Sequence, residues 1–120
     1  MNLIDNKNQK VFIAGSGGMV GSAIKRAYLN VKKYNSKRDQ IILSPTRKEL
    51  DLSNYNSVDN WLKKNKPDIV IIAAAKVGGI YANKKQPTEF ILENLKIQTN
   101  LIELSYKHNV SKLLFLGSSC

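Results

Sequence analysis

Short apolar runs alternate along the chain with segments whose apolar positions recur every three or four residues. Val11-Phe12-Ile13-Ala14 is an unbroken apolar run closed by Gly15, the pattern of a strand covered on both faces. From Met19 to about Leu29, the residues Val20, Ala23, Ile24, Ala27 and Tyr28 fall at helical intervals. The polar, basic stretch from Asn30 to Gln40 then reads as an exposed connection. Ile41-Ile42-Leu43 is a second buried strand, stopped by Pro45. Asn56 or Ser57 is placed to cap a short helix that carries Val58, Trp61 and Leu62 and ends before Pro67. Trp61 is expected to fill core space.

Asp68 leads into Ile69-Val70-Ile71-Ile72-Ala73-Ala74-Ala75, a third strand that narrows into side chains small enough for a ligand to approach the backbone. Lys76 to Pro87 holds two glycines and reads as a loop. Phe90, Ile91, Leu95, Ile97, Leu101, Ile102 and Leu104 mark a long helix from Thr88 to about His108. His108, near its end, suits the negative end of the helix dipole. Lys112 to Leu116 is the fourth strand. No repeat, low-complexity tract or domain boundary interrupts the chain, so residues 1–120 read as one domain.

Strand and helix in strict alternation imply right-handed crossovers and a parallel sheet. The expected class is α/β, a Rossmann-type doubly wound sheet of about four strands in the order 3-2-1-4. In that order the first and fourth strands flank the point where the helices change faces. The loops at Gly15–Gly21 and Gly117–Cys120 would then lie side by side.

Composition narrows the function classes. The net charge is +10, from 19 Lys and Arg against 9 Asp and Glu, yet the lysines are scattered and interleave with no row of aromatics. No nucleic-acid partner is therefore expected. Cys120 is the only cysteine, which rules out an intrachain disulfide and fits a reducing compartment. No paired His/Cys spacing suggests a metal site. The apolar run at 69–75 is too short to span a bilayer, and the polar first ten residues read as a lead-in rather than a signal peptide. A cytoplasmic protein without a membrane partner is the expectation.

The candidate chemistry sits in two loops. Gly15, Ser16, Gly17, Gly18, Met19, Val20 and Gly21 follow a strand and open a helix, as a dinucleotide fingerprint requires. One glycine permits the tight turn, one lets backbone N–H groups approach a pyrophosphate, and one packs helix on strand. The helix N-terminus adds partial positive charge. A glycine-rich turn without a cofactor is the alternative. Past the second strand, where an acid would hold the ribose hydroxyls of NAD, stand Ser44, Pro45, Thr46 and Arg47. Arg47 suits the 2′-phosphate of NADP, or is a surface arginine. Asp51, followed by Leu52, is placed to meet adenine, or is a solvated loop acid.

The glycine turn, the block Ala73-Ala74-Ala75-Lys76-Val77-Gly78-Gly79-Ile80 and the run from Lys112 through Leu116-Gly117-Ser118-Ser119-Cys120 together resemble the GDP-L-fucose synthases. These are extended short-chain dehydrogenase/reductases that act on GDP-4-keto-6-deoxy-mannose. The resemblance runs from about Lys10 to Cys120 and covers roughly the N-terminal third of the family's length. It implies NADP(H) as cofactor, a nucleotide-sugar substrate and, in the complete protein, a homodimer. Ser118 would hydrogen-bond the C4 keto oxygen, and Cys120 would move protons at C3 and C5. Gly15, Gly18, Gly21, Arg47, Asp51 and Leu52 would contact the cofactor, with Ala74 and Ala75 beside the nicotinamide. Lys76 has a family match but no assigned chemistry.

Two departures qualify that expectation. Gly17 stands where the family commonly carries a basic residue, which leaves Arg47 with less help on the 2′-phosphate. The family's Tyr-x-x-x-Lys pair and acid-base histidine belong downstream, so the 120 residues alone are expected to be inactive. Another sugar-nucleotide 4-epimerase or dehydratase is the second reading, and a dinucleotide-binding module without catalysis the third.

Overall fold

The computed structural model describes residues 9–34, 40–73 and 87–116. Its elements are β1 (Gln9–Ala14), α1 (Met19–Tyr34), β2 (Gln40–Leu43), α2 (Tyr55–Asn65), β3 (Ile69–Ile72), α3 (Pro87–Lys107) and β4 (Lys112–Phe115). All strand pairings are parallel, with Phe12 opposite Leu43 on one side and Val70 on the other. Ile72 in turn faces Phe115.

The α/β class and the parallel sheet agree with the sequence; the strand order does not. The sheet runs β2-β1-β3-β4, whereas 3-2-1-4 would have put the third strand outside β2 and the fourth against β1. Burial explains the difference. Val70, Ile71 and Ile72 are all buried, as are Val11, Phe12, Ile13 and Ala14, so β1 and β3 need a neighbour on each edge and a layer on each face. The chain therefore steps from β1 to β2, reverses, and crosses back over β1 to β3. A right-handed crossover that reverses direction must change faces.

The side chains record that change. Phe12, Ala14, Val70 and Ile72 join Leu50, Val58, Leu62, Ile97, Leu101 and Leu104 in one core beneath α2 and α3. Val11, Ile13 and Ile71 form the other, packed by Ile24 and Tyr28 of α1. Residues two apart on a strand share a face, so the two cores take alternate positions of the same strands. Trp61 is half-buried at the rim of the larger core, its ring centroid 4.3 Å from that of Phe12.

Helix ends shift from their expected places. α1 continues to Tyr34, through residues first read as connection. α2 is capped by Asn54, not Asn56 or Ser57, because the Asn54 side chain accepts from the Ser57 N–H at 3.1 Å. It closes on Lys66 in the left-handed region (φ 47°), whose N–H donates to Leu62 O. His108 does more than complement a dipole: its Nε2 shares a 2.6 Å hydrogen bond with Asp59 Oδ1, while Lys107 Nζ reaches the same carboxylate at 3.1 Å. These contacts tie the end of α3 to α2. β4 forms the sheet edge, with Leu113, Leu114 and Phe115 all more than one-third exposed.

Candidate functional site

The loop after β1 turns on Gly15, whose φ of 90° lies where only glycine is at ease. Its carbonyl accepts from Gly18 N at 3.1 Å and closes the turn. Gly18 O then accepts from Ser22 N at 2.9 Å, the first hydrogen bond of α1. The N–H groups of Met19, Val20 and Gly21 are thus those a helix cannot satisfy internally. Those of Met19 and Val20 have no partner among the described residues and suit an anion, and no acidic residue occupies the first turn to compete.

Gly21 has a different task. A Cβ there would overlap the Gly15 carbonyl oxygen, lying 2.7 Å from its carbon and 2.9 Å from Ser16 Cα. Only a residue without a side chain lets α1 sit so close to the turn. Among the described residues, a Cβ at Gly17 would meet nothing within 4 Å, so any need for glycine there comes from outside them.

The turn forms one wall of a cleft of about 400 Å³ at the carboxyl ends of the strands. Gly15, Ser16, Gly17 and Gly18 line it, as do Pro45, Thr46, Arg47, Leu50, Asp51 and Leu52 of the loop after β2. Ala73, which extends β3 by donating to Ala14 O at 2.9 Å, forms the floor beside them. Glu93 and Ile97 close the cleft from α3. The cleft runs from the loop after β2 across the end of β1 to Ala73 at the end of β3, and so reaches the point between β1 and β3 where the crossovers change faces, the usual place for a ligand in such sheets.

The loop after β2 is held by its own side chains. Thr46 N donates to Glu49 Oε1 at 3.1 Å and Glu49 N to Thr46 Oγ1 at 3.3 Å, a reciprocal pair that closes a tight turn. Donation from the Thr46 N–H, and then from the Thr46 hydroxyl, lowers the Glu49 carboxyl below the usual range. Asp51 Oδ1 accepts from Ser53 Oγ at 2.7 Å and Ser53 N at 3.0 Å. These two bonds, with Arg47 nearby, hold Asp51 ionised and below its ordinary value. Arg47 thus places a positive charge in the same cleft as an ionised carboxylate.

Of the residues singled out from the sequence, Gly15, Ser16, Gly17, Gly18, Arg47, Asp51 and Leu52 are brought together around one cleft. Met19 and Val20 open α1 with side chains exposed and outside the cleft walls, leaving backbone groups as their offering. Gly21 lies beneath the turn. Ala74, Ala75, Ser118 and Cys120 lie outside the described residues. The sequence did not point to Glu93 or Ile97 as site residues, since they reach the cleft only through the path of α3. The reciprocal pair was not read from the sequence either, although the spacing Thr46-x-x-Glu49 is its signal. Among the described residues no cluster of His, Cys, Asp or Glu is arranged to hold a metal, and no helix is long and apolar enough to cross a membrane.

The NAD dependent epimerase/dehydratase family model matches residues 11–120. GDP-L-fucose synthase 1 of Arabidopsis thaliana is 47% identical over 117 residues, which are 98% of this chain and 34% of that protein. GDP-L-fucose synthase of Escherichia coli (strain K12) is 45% identical over 112 residues, 93% of this chain and 33% of the relative. Among solved structures, MlghC, a GDP-mannoheptose C4 reductase from Campylobacter jejuni with NADP bound, superposes with a TM-score of 0.78 at 38% identity. That match covers 93% of this chain and 31% of MlghC. The chain spans about a third of the length of these relatives.

Proposed function

The chain belongs to the NAD dependent epimerase/dehydratase family, and from that premise we propose that it is the N-terminal, NADP-binding part of a GDP-4-keto-6-deoxy-D-mannose 3,5-epimerase/4-reductase. The observation that carries the reading is the cleft: a glycine turn opening α1, with Arg47 and Asp51 across from it. It occurs in a chain 45–47% identical to two GDP-L-fucose synthases. A cofactor fits on structural grounds. The turn leaves a helix N-terminus free for a pyrophosphate, and the residue past β2 that would meet the adenosine ribose is a cation rather than an acid.

In this reading Gly15, Ser16, Gly17 and Gly18 and the first N–H groups of α1 hold the pyrophosphate. Arg47 pairs with the 2′-phosphate, Asp51 and Leu52 receive adenine, and Ala74 and Ala75 border the nicotinamide. When bound, NADPH supplies the hydride that reduces C4. The Cys120 thiol exchanges protons at C3 and C5 beforehand, and the Ser118 hydroxyl donates to the C4 oxygen. The roles of Ser118 and Cys120 rest on the resemblance of their segment. Residues 1–120 are assigned to one cofactor domain, and the substrate is a GDP-linked keto sugar.

A homodimer is part of the proposal. Ile91, Leu95, Ile102 and Tyr106 are exposed on α3 and spaced four, seven and four residues apart. That spacing reads the same in both directions, so an antiparallel copy of α3 would set Ile91 against Tyr106 and Leu95 against Ile102. Lys96 and Glu103 would flank the pair with opposite charge. A two-fold interface needs this self-complementarity.

The test uses the complete protein that carries this segment. NADPH absorbance should fall with GDP-4-keto-6-deoxy-mannose, and deuterium from solvent should enter C3 and C5. Cys120→Ser should largely abolish that exchange, because a hydroxyl is far less acidic than a thiol, while part of the reduction survives. Exchange at the parental rate in Cys120→Ser overturns the assignment. Turnover without any exchange at C3 or C5 favours a 4-epimerase or dehydratase instead.

A further inference from the structure

Asn100 sits on α3, 92% buried, on the face that one and two turns earlier carries Ile97 and Glu93 into the cleft wall. A buried primary amide on a helix that otherwise turns Ile97, Leu101 and Leu104 to the core needs a partner. It has one 48 residues away: Asn100 Nδ2 donates to the backbone carbonyl of Leu52 at 3.0 Å. The other end of that same peptide unit is the N–H of Ser53, which donates to Asp51 Oδ1 at 3.0 Å. One planar group is therefore gripped at both ends, by the amide of Asn100 and by the carboxylate of Asp51. Since a peptide unit is rigid, turning its carbonyl turns its N–H. The Ser53 hydroxyl, 2.7 Å from the same Oδ1, moves with it.

We infer that Asn100 is a positioning residue: through the Leu52–Ser53 peptide it fixes where the Asp51 carboxylate stands in the cleft, and so sets affinity for the adenosine end of a dinucleotide. It touches no ligand itself, since Asp51 and Leu52 line the cleft and Asn100 lies behind them. Without its donor the Leu52 carbonyl loses its anchor to α3, and the 51–53 turn is left to its own local bonds. The inference rests on the proposed reading of the cleft as a dinucleotide site.

The experiment is a double-mutant cycle on the full chain, with 2′,5′-ADP as the probe and calorimetric affinity beside thermal stability as readouts. Asp51→Ala and Asn100→Leu should each weaken binding about tenfold. In the Asp51→Ala background, Asn100→Leu should change affinity by less than about twofold, because both act through one carboxylate. A merely structural Asn100 would lower stability and weaken binding equally in both backgrounds, and that result overturns the inference. Loss from Asp51→Ala without loss from Asn100→Leu overturns it while leaving the cleft reading intact. A parent chain that does not bind 2′,5′-ADP, or an Asp51→Ala variant that binds like the parent, overturns both. Should Asn100→Leu fail to fold, Asn100→Ser enters the same cycle with the same expected pattern, its hydroxyl too short to reach Leu52.

Discussion

Replacing Gly21 with alanine adds one methyl group at the point where α1 rests on the turn, and the structure sets what that methyl must displace. Its Cβ would overlap the Gly15 carbonyl and stand 2.7 Å from the carbonyl carbon, where ordinary contact begins near 3.4 Å. The turn and the helix must part by at least about 0.7 Å at the carbon, and by more at the oxygen. Neither side yields easily. Gly15 O is held by Gly18 N at 3.1 Å, and α1 is seated on the sheet by Ile24 and Tyr28 against Val11, Ile13 and Ile71. Overpacking of this kind costs about 1–3 kcal/mol, and rigid backbone on both sides argues for the upper end. Alanine returns about 1 kcal/mol in helix propensity. The net expectation is a loss of about 2 kcal/mol, up to a 30-fold fall in the folded-to-unfolded ratio. Urea unfolding followed by circular dichroism reads that loss, and titration with NADPH should show weaker binding as the helix N-terminus is pushed off the turn. Gly17→Ala is the control. With nothing among the described residues within 4 Å of the added carbon and no positive φ at Gly17, its urea midpoint should match the parent, so any loss of NADPH affinity comes from crowding the ligand. A Gly21→Ala variant with the parental midpoint and affinity would refute the packing argument.

Other perturbations probe separate parts of the molecule. Arg47→Ala should weaken NADPH binding tenfold or more, the worth of a charge-assisted phosphate contact of about 1.5–3 kcal/mol, and leave NADH within about twofold; equal losses for both dinucleotides would remove Arg47 from the 2′-phosphate. Ser105→Ala should raise stability by about 1 kcal/mol, because the Ser105 hydroxyl is buried without a hydrogen-bond partner among the described residues and alanine suits a helix better. An unchanged or lower melting temperature would count against that. Glu49, Asp51 and Asp59 all have carboxyls held below their ordinary values, Asp59 chiefly by His108 and then Lys107. Their contribution is therefore in place above about pH 4 and is lost as pH falls through the lower folded-state values. Between pH 5 and pH 3 the urea midpoint should drop less in Asp59→Asn than in the parent; identical drops would show that the contact of α2 with α3 is not linked to acid unfolding.

What the sequence disclosed depended on how local the cause was. The turn at Gly15 was legible because glycine, strand end and helix start are adjacent in the chain. The cap of α2 was legible only to within a few residues, since Asn54, Asn56 and Ser57 are all able caps and the choice falls on the one whose side chain meets the third N–H of the helix. Strand order was misread for a reason of geometry. A period of two says which residues share a face but not which strand lies alongside. The signal that bears on order was the unbroken apolar run at Ile69–Ile72, too apolar on both faces for an edge. Giving β3 the place beside β1 also changes how the candidate site is assembled. Leu116 N donates to Ile72 O at 3.1 Å, so the chain leaves β4 next to the end of β3 and not next to Gly15. The described part of β4 therefore ends two strand spacings, about 10 Å, from β1 and the glycine turn that follows it. In the proposed reading, a dinucleotide running from Arg47 over Gly15 toward Ala73 would cross the sheet toward β4, with its adenosine end at the loop after β2.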